Sequence, residues 1–118
     1  MIVHQRLSNA VLLLGLVGAL WALLNIWQRR VSPALRAYLR LTELAIVAEA
    51  LAGLGLFFAG RHPAQGIHWF YGPAVLLSLP VAWTYARRGG ERREAWALFF
   101  GSLAVFLFSL RAISTGGG

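Results

Sequence analysis

Four long apolar blocks, joined by short arginine-bearing connections, constrain this chain more than any other feature. They are Leu7–Trp27, Tyr38–Gly60, Ile67–Ala86 and Glu94–Ile113. An α-helix rises 1.5 Å per residue, so about 20 apolar residues span a hydrocarbon core of about 30 Å. The 118 residues are 58% hydrophobic, and a soluble domain of this size has no means of burying so much apolar surface. The sequence therefore predicts an all-α polytopic membrane protein of one domain, residues 1–118. Short connections make successive helices antiparallel neighbours, which gives an up-down bundle of four transmembrane helices. The spans use nearly the whole chain, which leaves no soluble catalytic module and argues against an enzyme acting on its own.

Charge sets the orientation. All eleven basic residues are arginines. Arg29, Arg30, Arg36, Arg40, Arg87, Arg88, Arg92 and Arg93 flank the first and third connections, against Arg6, Arg61 and Arg111 on the other side. The positive-inside rule puts connections 28–37 and 87–93 in the cytoplasm of a bacterial inner membrane, with both termini outside. Trp27, Trp69, Trp83, Trp96, Tyr38, Tyr71 and Tyr85 fall near predicted span ends, as an interfacial aromatic belt requires. The first span exceeds a signal-peptide apolar core and is followed by Arg29-Arg30, so it reads as a retained helix. The net charge of +7 sits at span ends, a pattern of topology and not of nucleic-acid binding. Cysteine is absent, which excludes disulfides, thiol catalysis and cysteine-held clusters.

Small residues predict how the helices pack. Span one carries Ser8, Gly15, Gly18, Ala22 and Asn25 at steps of three and four, and span two carries Ala45, Glu49, Ala52, Gly53 and Gly60 near one face. Such faces let helix backbones approach closely in lipid, so spans one and two are expected to pack through them. Span four offers Ala97 and Gly101. Pro73 and Pro80 should bend span three, and Ser114–Gly118 should form an irregular tail.

Two constellations could carry chemistry. Glu49 lies eleven residues into span two, roughly 16 Å from Tyr38, which puts a carboxyl near mid-bilayer. Acids at that depth face the bundle interior and mark sites. As a neutral acid it needs no counter-ion; as a proton-relay or cation site it would titrate during turnover; as a structural group it would hydrogen-bond to a neighbouring span. Glu43, three residues after Arg40, should form an interfacial pair with it, and Glu91 and Glu94 read as charge balance among the loop arginines. The only histidines, His4, His62 and His68, all fall on the outer face. His4 and His68 open different spans at one membrane height. They could ligate a haem from both sides, with Arg6 or Arg111 on the propionates, or share a metal with His62. The alternative is three unconnected headgroup-level histidines.

The pieces HQRL (4–7), VAEALAGLGLFF (47–58) and IHWFYGPAVLLSLPVAW (67–83) resemble a family of small bacterial four-helix membrane proteins. In that family a histidine-arginine start opens helix one, a polar residue interrupts helix two and a histidine opens helix three. The layout is also similar to small b-type cytochromes and to the membrane domains of copper-resistance proteins. With no cytoplasmic-side histidine, that resemblance implies at most one haem b, near the outer face. AIVAEALAG (45–53) is similar to the first helix of small multidrug resistance transporters, which use one membrane glutamate. These readings imply a small membrane subunit of an electron-transfer system, holding haem b or working with a quinone. The alternatives are a cofactor-free accessory subunit, packed against other membrane subunits or itself, and a proton-coupled transporter working through Glu49.

Overall fold

The computed structural model describes residues 2–60 and 68–115, with backbone alone for 2–5, 56, 68–69 and 114–115. Among them the chain forms four helices and no strand: α1 (Ile2–Gln28), α2 (Pro33–Phe58), α3 (His68–Ala86) and α4 (Glu91–Thr115). They pack as an elongated bundle of 47 × 22 × 19 Å. The all-helical four-helix bundle is thus as expected. Two helices, over Arg6–Gln28 and Glu91–Ile113, are long and apolar enough to cross a membrane among the described residues.

The α1–α2 connection is far tighter than a ten-residue loop. Arg29 takes a left-handed conformation (φ 59°), Arg29 N–H donates to Ile26 O and Arg30 N–H to Asn25 O, which closes the last turn of α1. The fully buried Asn25 accepts from Ser32 N–H through Oδ1 at 2.8 Å. Ser32 in turn caps α2, its Oγ accepting from Leu35 N–H at 3.1 Å, and Pro33 supplies a preset φ at the first helical position. This capping starts α2 five residues before the expected Tyr38. Asn25→Leu would remove the acceptor of the partly buried Ser32 N–H, and we expect it to lower stability by about 1 kcal/mol in thermal unfolding monitored by helical circular dichroism. At the α3–α4 connection, α4 begins at Glu91, because Glu91 and Glu94 suit a helix N-terminus. Its far end carries helix through Thr115, past the expected start of the tail.

α4 is the organising helix, which adds to the expected pairing: α1 and α2 do meet through Ser8 and Glu49, but the closest approach of α1 is to α4. A Cβ on Gly15 of α1 would lie 2.9 Å from both Phe106 N and Val105 Cγ1, so the small face of α1 admits the backbone of α4, not of α2. Gly18 faces Ser102 of α4 and also Leu39 and Tyr38 of α2. On the opposite side of α4, a Cβ on Gly101 would lie 2.7 Å from Ala82 Cβ of α3. The reason lies in the sequence of α4, which has small or short residues on both sides (Ala97, Gly101 and Ala104; Ser102 and Ala95), whereas α2 meets Gly18 of α1 through the larger Tyr38 and Leu39. α3 continues as helix through Pro73 and Pro80.

α2 is the least embedded helix. It buries Leu35, Leu39, Thr42 and Ile46, and beyond Ile46 no described residue of α2 is fully buried. Leu51, Leu54 and Phe58 are exposed there. Near its start, Arg36 clamps Glu94 of α4 with two hydrogen bonds, Nε to Oε2 at 2.8 Å and Nη2 to Oε1 at 2.7 Å. The hydrogen bond to Glu94 raises the Arg36 pKa further. Glu94 is therefore a specific partner and not diffuse loop balance.

Candidate functional site

The antiparallel order brings the start of α1, the end of α2, the start of α3 and the end of α4 to one end of the bundle. His4 and Arg6 lie in the first two turns of α1, His68 opens α3, and Arg111 lies in the last turns of α4. The side chains of His4 and His68 lie outside what the structure describes, and His62 lies wholly outside the described residues. α1 and α3 do not lie side by side: α4 packs against both, and α2 leans on α1 while touching α3 over a short stretch. The two histidine-bearing helix starts are therefore diagonal across the bundle. Among the described residues no three histidine, cysteine or acidic side chains gather as a metal site.

Glu49 belongs to this same end. Ser8 Oγ donates to Glu49 Oε1 at 2.7 Å, joining α1 to α2. Ser8 is buried and stands two residues from the exposed Arg6, about 3 Å along the helix axis. Glu49 thus lies in the half of α2 toward the His4 end, because α2 starts at Pro33, five residues before Tyr38. Tyr38 is half-buried, donates to Leu14 O at 2.7 Å and packs its ring 5.4 Å from that of Trp21. Trp27, Trp96 and Tyr85, by contrast, are exposed near helix ends, while Trp83 packs against the core.

On the α3–α4 side, the Arg111 guanidinium lies 5.7 Å from the Tyr71 ring centroid, and Tyr71 packs at 6.1 Å against Phe108. Tyr71 is one turn beyond His68. The residues gathered at this end are thus Arg6 and Ser8 (α1), Glu49 (α2), Tyr71 (α3) and Arg111 (α4), with the His4 and His68 backbones beside them. Ser8 and Tyr71 were not singled out as site residues from the sequence. Ser8 counted only as a small packing residue, although a serine at the mouth of α1 is a ready donor for a carboxyl on the next helix.

The expected Arg40–Glu43 pair does not form. Arg40 is exposed, while Glu43 turns inward with Oε1 buried and no hydrogen-bond partner. Positions three apart are near neighbours on a helix, but the long arginine side chain reaches solvent and the short glutamate cannot follow it.

Compared with known proteins, the chain matches no family model, no curated protein and no solved structure.

Proposed function

We propose that this chain is a four-span protein of the bacterial inner membrane, with both termini outside, that serves as a small subunit of an electron-transfer system and holds its ligand at the His4 end. One observation carries the reading: each of the four helices contributes a titratable or ligating residue to that single end, namely His4 and Arg6, Glu49, His68, and Arg111. The remaining arginines of the described helices stand on the α2 and α4 starts or in the turns. Polar and charged groups from different helices meeting at one end of an apolar bundle support a site there.

The residue types at this end are those a haem b would take. His4 and His68 would hold the iron, Arg6 and Arg111 would pair with the propionates, and Glu49, hydrogen-bonded by Ser8, would carry a proton. A haem, when bound, provides one-electron chemistry, and a quinone is the natural partner for it within the bilayer. Absorption spectra of the protein purified in mild detergent from haem-supplied cells test this. We expect Soret and α bands that sharpen on reduction and that vanish in His4→Ala and in His68→Ala. Pigment retained in both variants, or none in the parent, rejects the haem.

A second reading rests on α2. Its half beyond Ile46 presents Leu51, Leu54 and Phe58 outward, and none of them is covered by another described helix. A cofactor-free accessory subunit would seat a partner helix there, and a second membrane subunit would then co-purify with the chain. A homogeneous lone species in mild detergent counts against it.

A further inference from the structure

An apolar groove of about 550 Å³ runs along the seam between α3 and α4, on the face away from α1 and α2. Its floor is the close approach of Gly101 to Ala82, and its walls are Leu77, Val81 and Phe100, each more than half exposed. The wall residue Ser78 directs its hydroxyl into its own helix, donating to Ala74 O at 2.7 Å, so that donor is not offered to the groove. Tyr85 and Trp96 line one end. Beyond them stands the α3–α4 connection, where Arg87, Arg88 and Arg92 are exposed and Glu91 is the only acid besides the engaged Glu94. Arg93 is held over this end, its guanidinium 3.7 Å from the Tyr85 ring centroid and its Nε donating to Tyr85 O at 2.9 Å.

We propose that this groove binds an anionic phospholipid, with an acyl chain in the groove and the phosphate against Arg88, Arg92 and Arg93. The proposal rests on the membrane reading above. Length supports it: Ala74 to Tyr85 spans eleven helical rises, roughly 16 Å, close to half of a hydrocarbon core of about 30 Å, so the groove matches one leaflet. Charge supports it too. Basic clusters beside a span attract acidic headgroups, and here the cluster and the groove share one end. A second copy of the chain is disfavoured as occupant, because two copies inserted in the same orientation would set their arginine clusters side by side at one membrane surface.

The test uses the full chain in mild detergent, given phosphatidylglycerol or phosphatidylcholine with identical acyl chains. Bound lipid is counted by native mass spectrometry and melting is followed by circular dichroism. Phosphatidylglycerol should be retained about tenfold better than phosphatidylcholine and should raise the melting temperature. The Arg88→Gln/Arg92→Gln double variant should melt like the parent without lipid, since both side chains are exposed, yet lose the preference to within about twofold. Ala104→Phe, which fills the groove, should reduce retention of both lipids. Equal retention of the two lipids by the parent, or a preference that survives in the arginine variant, overturns the proposal. A parent dimer that Ala104→Phe dissolves assigns the groove to a second copy and likewise overturns it. Recovery of the chain in the membrane fraction without headgroup preference rejects the lipid alone; recovery as a soluble protein rejects the membrane reading as well.

Discussion

Gly15→Val should lower the stability of the bundle by about 3 kcal/mol, measured as the shift in thermal or dodecyl-sulfate unfolding in mild detergent. The Cβ alone would lie 2.9 Å from the backbone nitrogen of Phe106, and backbone cannot rotate aside as a side chain can. α1 and α4 must therefore separate along their whole contact, which loosens Val11, Ala22, Leu98 and Val105 together. Gly55→Ala provides the contrast. Nothing lies within 4 Å of its Cβ position, so that substitution should be neutral or stabilising by up to about 1 kcal/mol. Equal losses at the two glycines would mean that helix propensity, and not close packing on α4, sets the stability.

Leu39→Ala should lower stability by about 2 kcal/mol in the same assay. Leu39 is fully buried where α2 meets α1, beside Leu35 and in reach of Gly18. On the membrane reading proposed above, lipid is as apolar as leucine, so little transfer energy is lost and the cost is mainly the cavity; the loss therefore sits at the low end of the range for buried leucines. Leu41, two residues on and 65% exposed, is the control. Leu41→Ala should change stability by less than about 0.5 kcal/mol. The contrast between these two neighbours measures which face of α2 is inside. Comparable losses would require α2 to be rotated about its axis.

The helices were legible in the sequence because apolar length is a one-dimensional property. Their ends were less so. α2 begins at Pro33 because Asn25 and Ser32 build a turn, and that turn depends on hydrogen bonds between residues seven apart. The pairing of α1 with α4 was not legible, since Gly15, Gly18 and Ala22 advertise a close approach without naming the partner. Only the two-sided small-residue pattern of α4, at Gly101 and Ser102, hinted at it. For the site, the chain order alone predicts that His4, Arg6, His68 and Arg111 share one end. The Ser8–Glu49 bond could not be read, because it depends on the register between α1 and α2, and the early start of α2 shifts that register. The Arg40–Glu43 expectation failed for a related reason: spacing gives proximity on a helix but not which side chain turns inward.

The measurement that tests the central claim most directly exploits the absence of cysteine. Single cysteines at Gln5, Gln28 and Gly90 can be probed in intact spheroplasts with a membrane-impermeant maleimide. A four-span bundle with the His4 end outside predicts that Gln5→Cys labels at once, while Gln28→Cys and Gly90→Cys label only after the membrane is disrupted. Labelling of Gly90→Cys from outside with Gln5→Cys protected would invert the molecule, and labelling of all three in a membrane-free extract would contradict the membrane bundle outright.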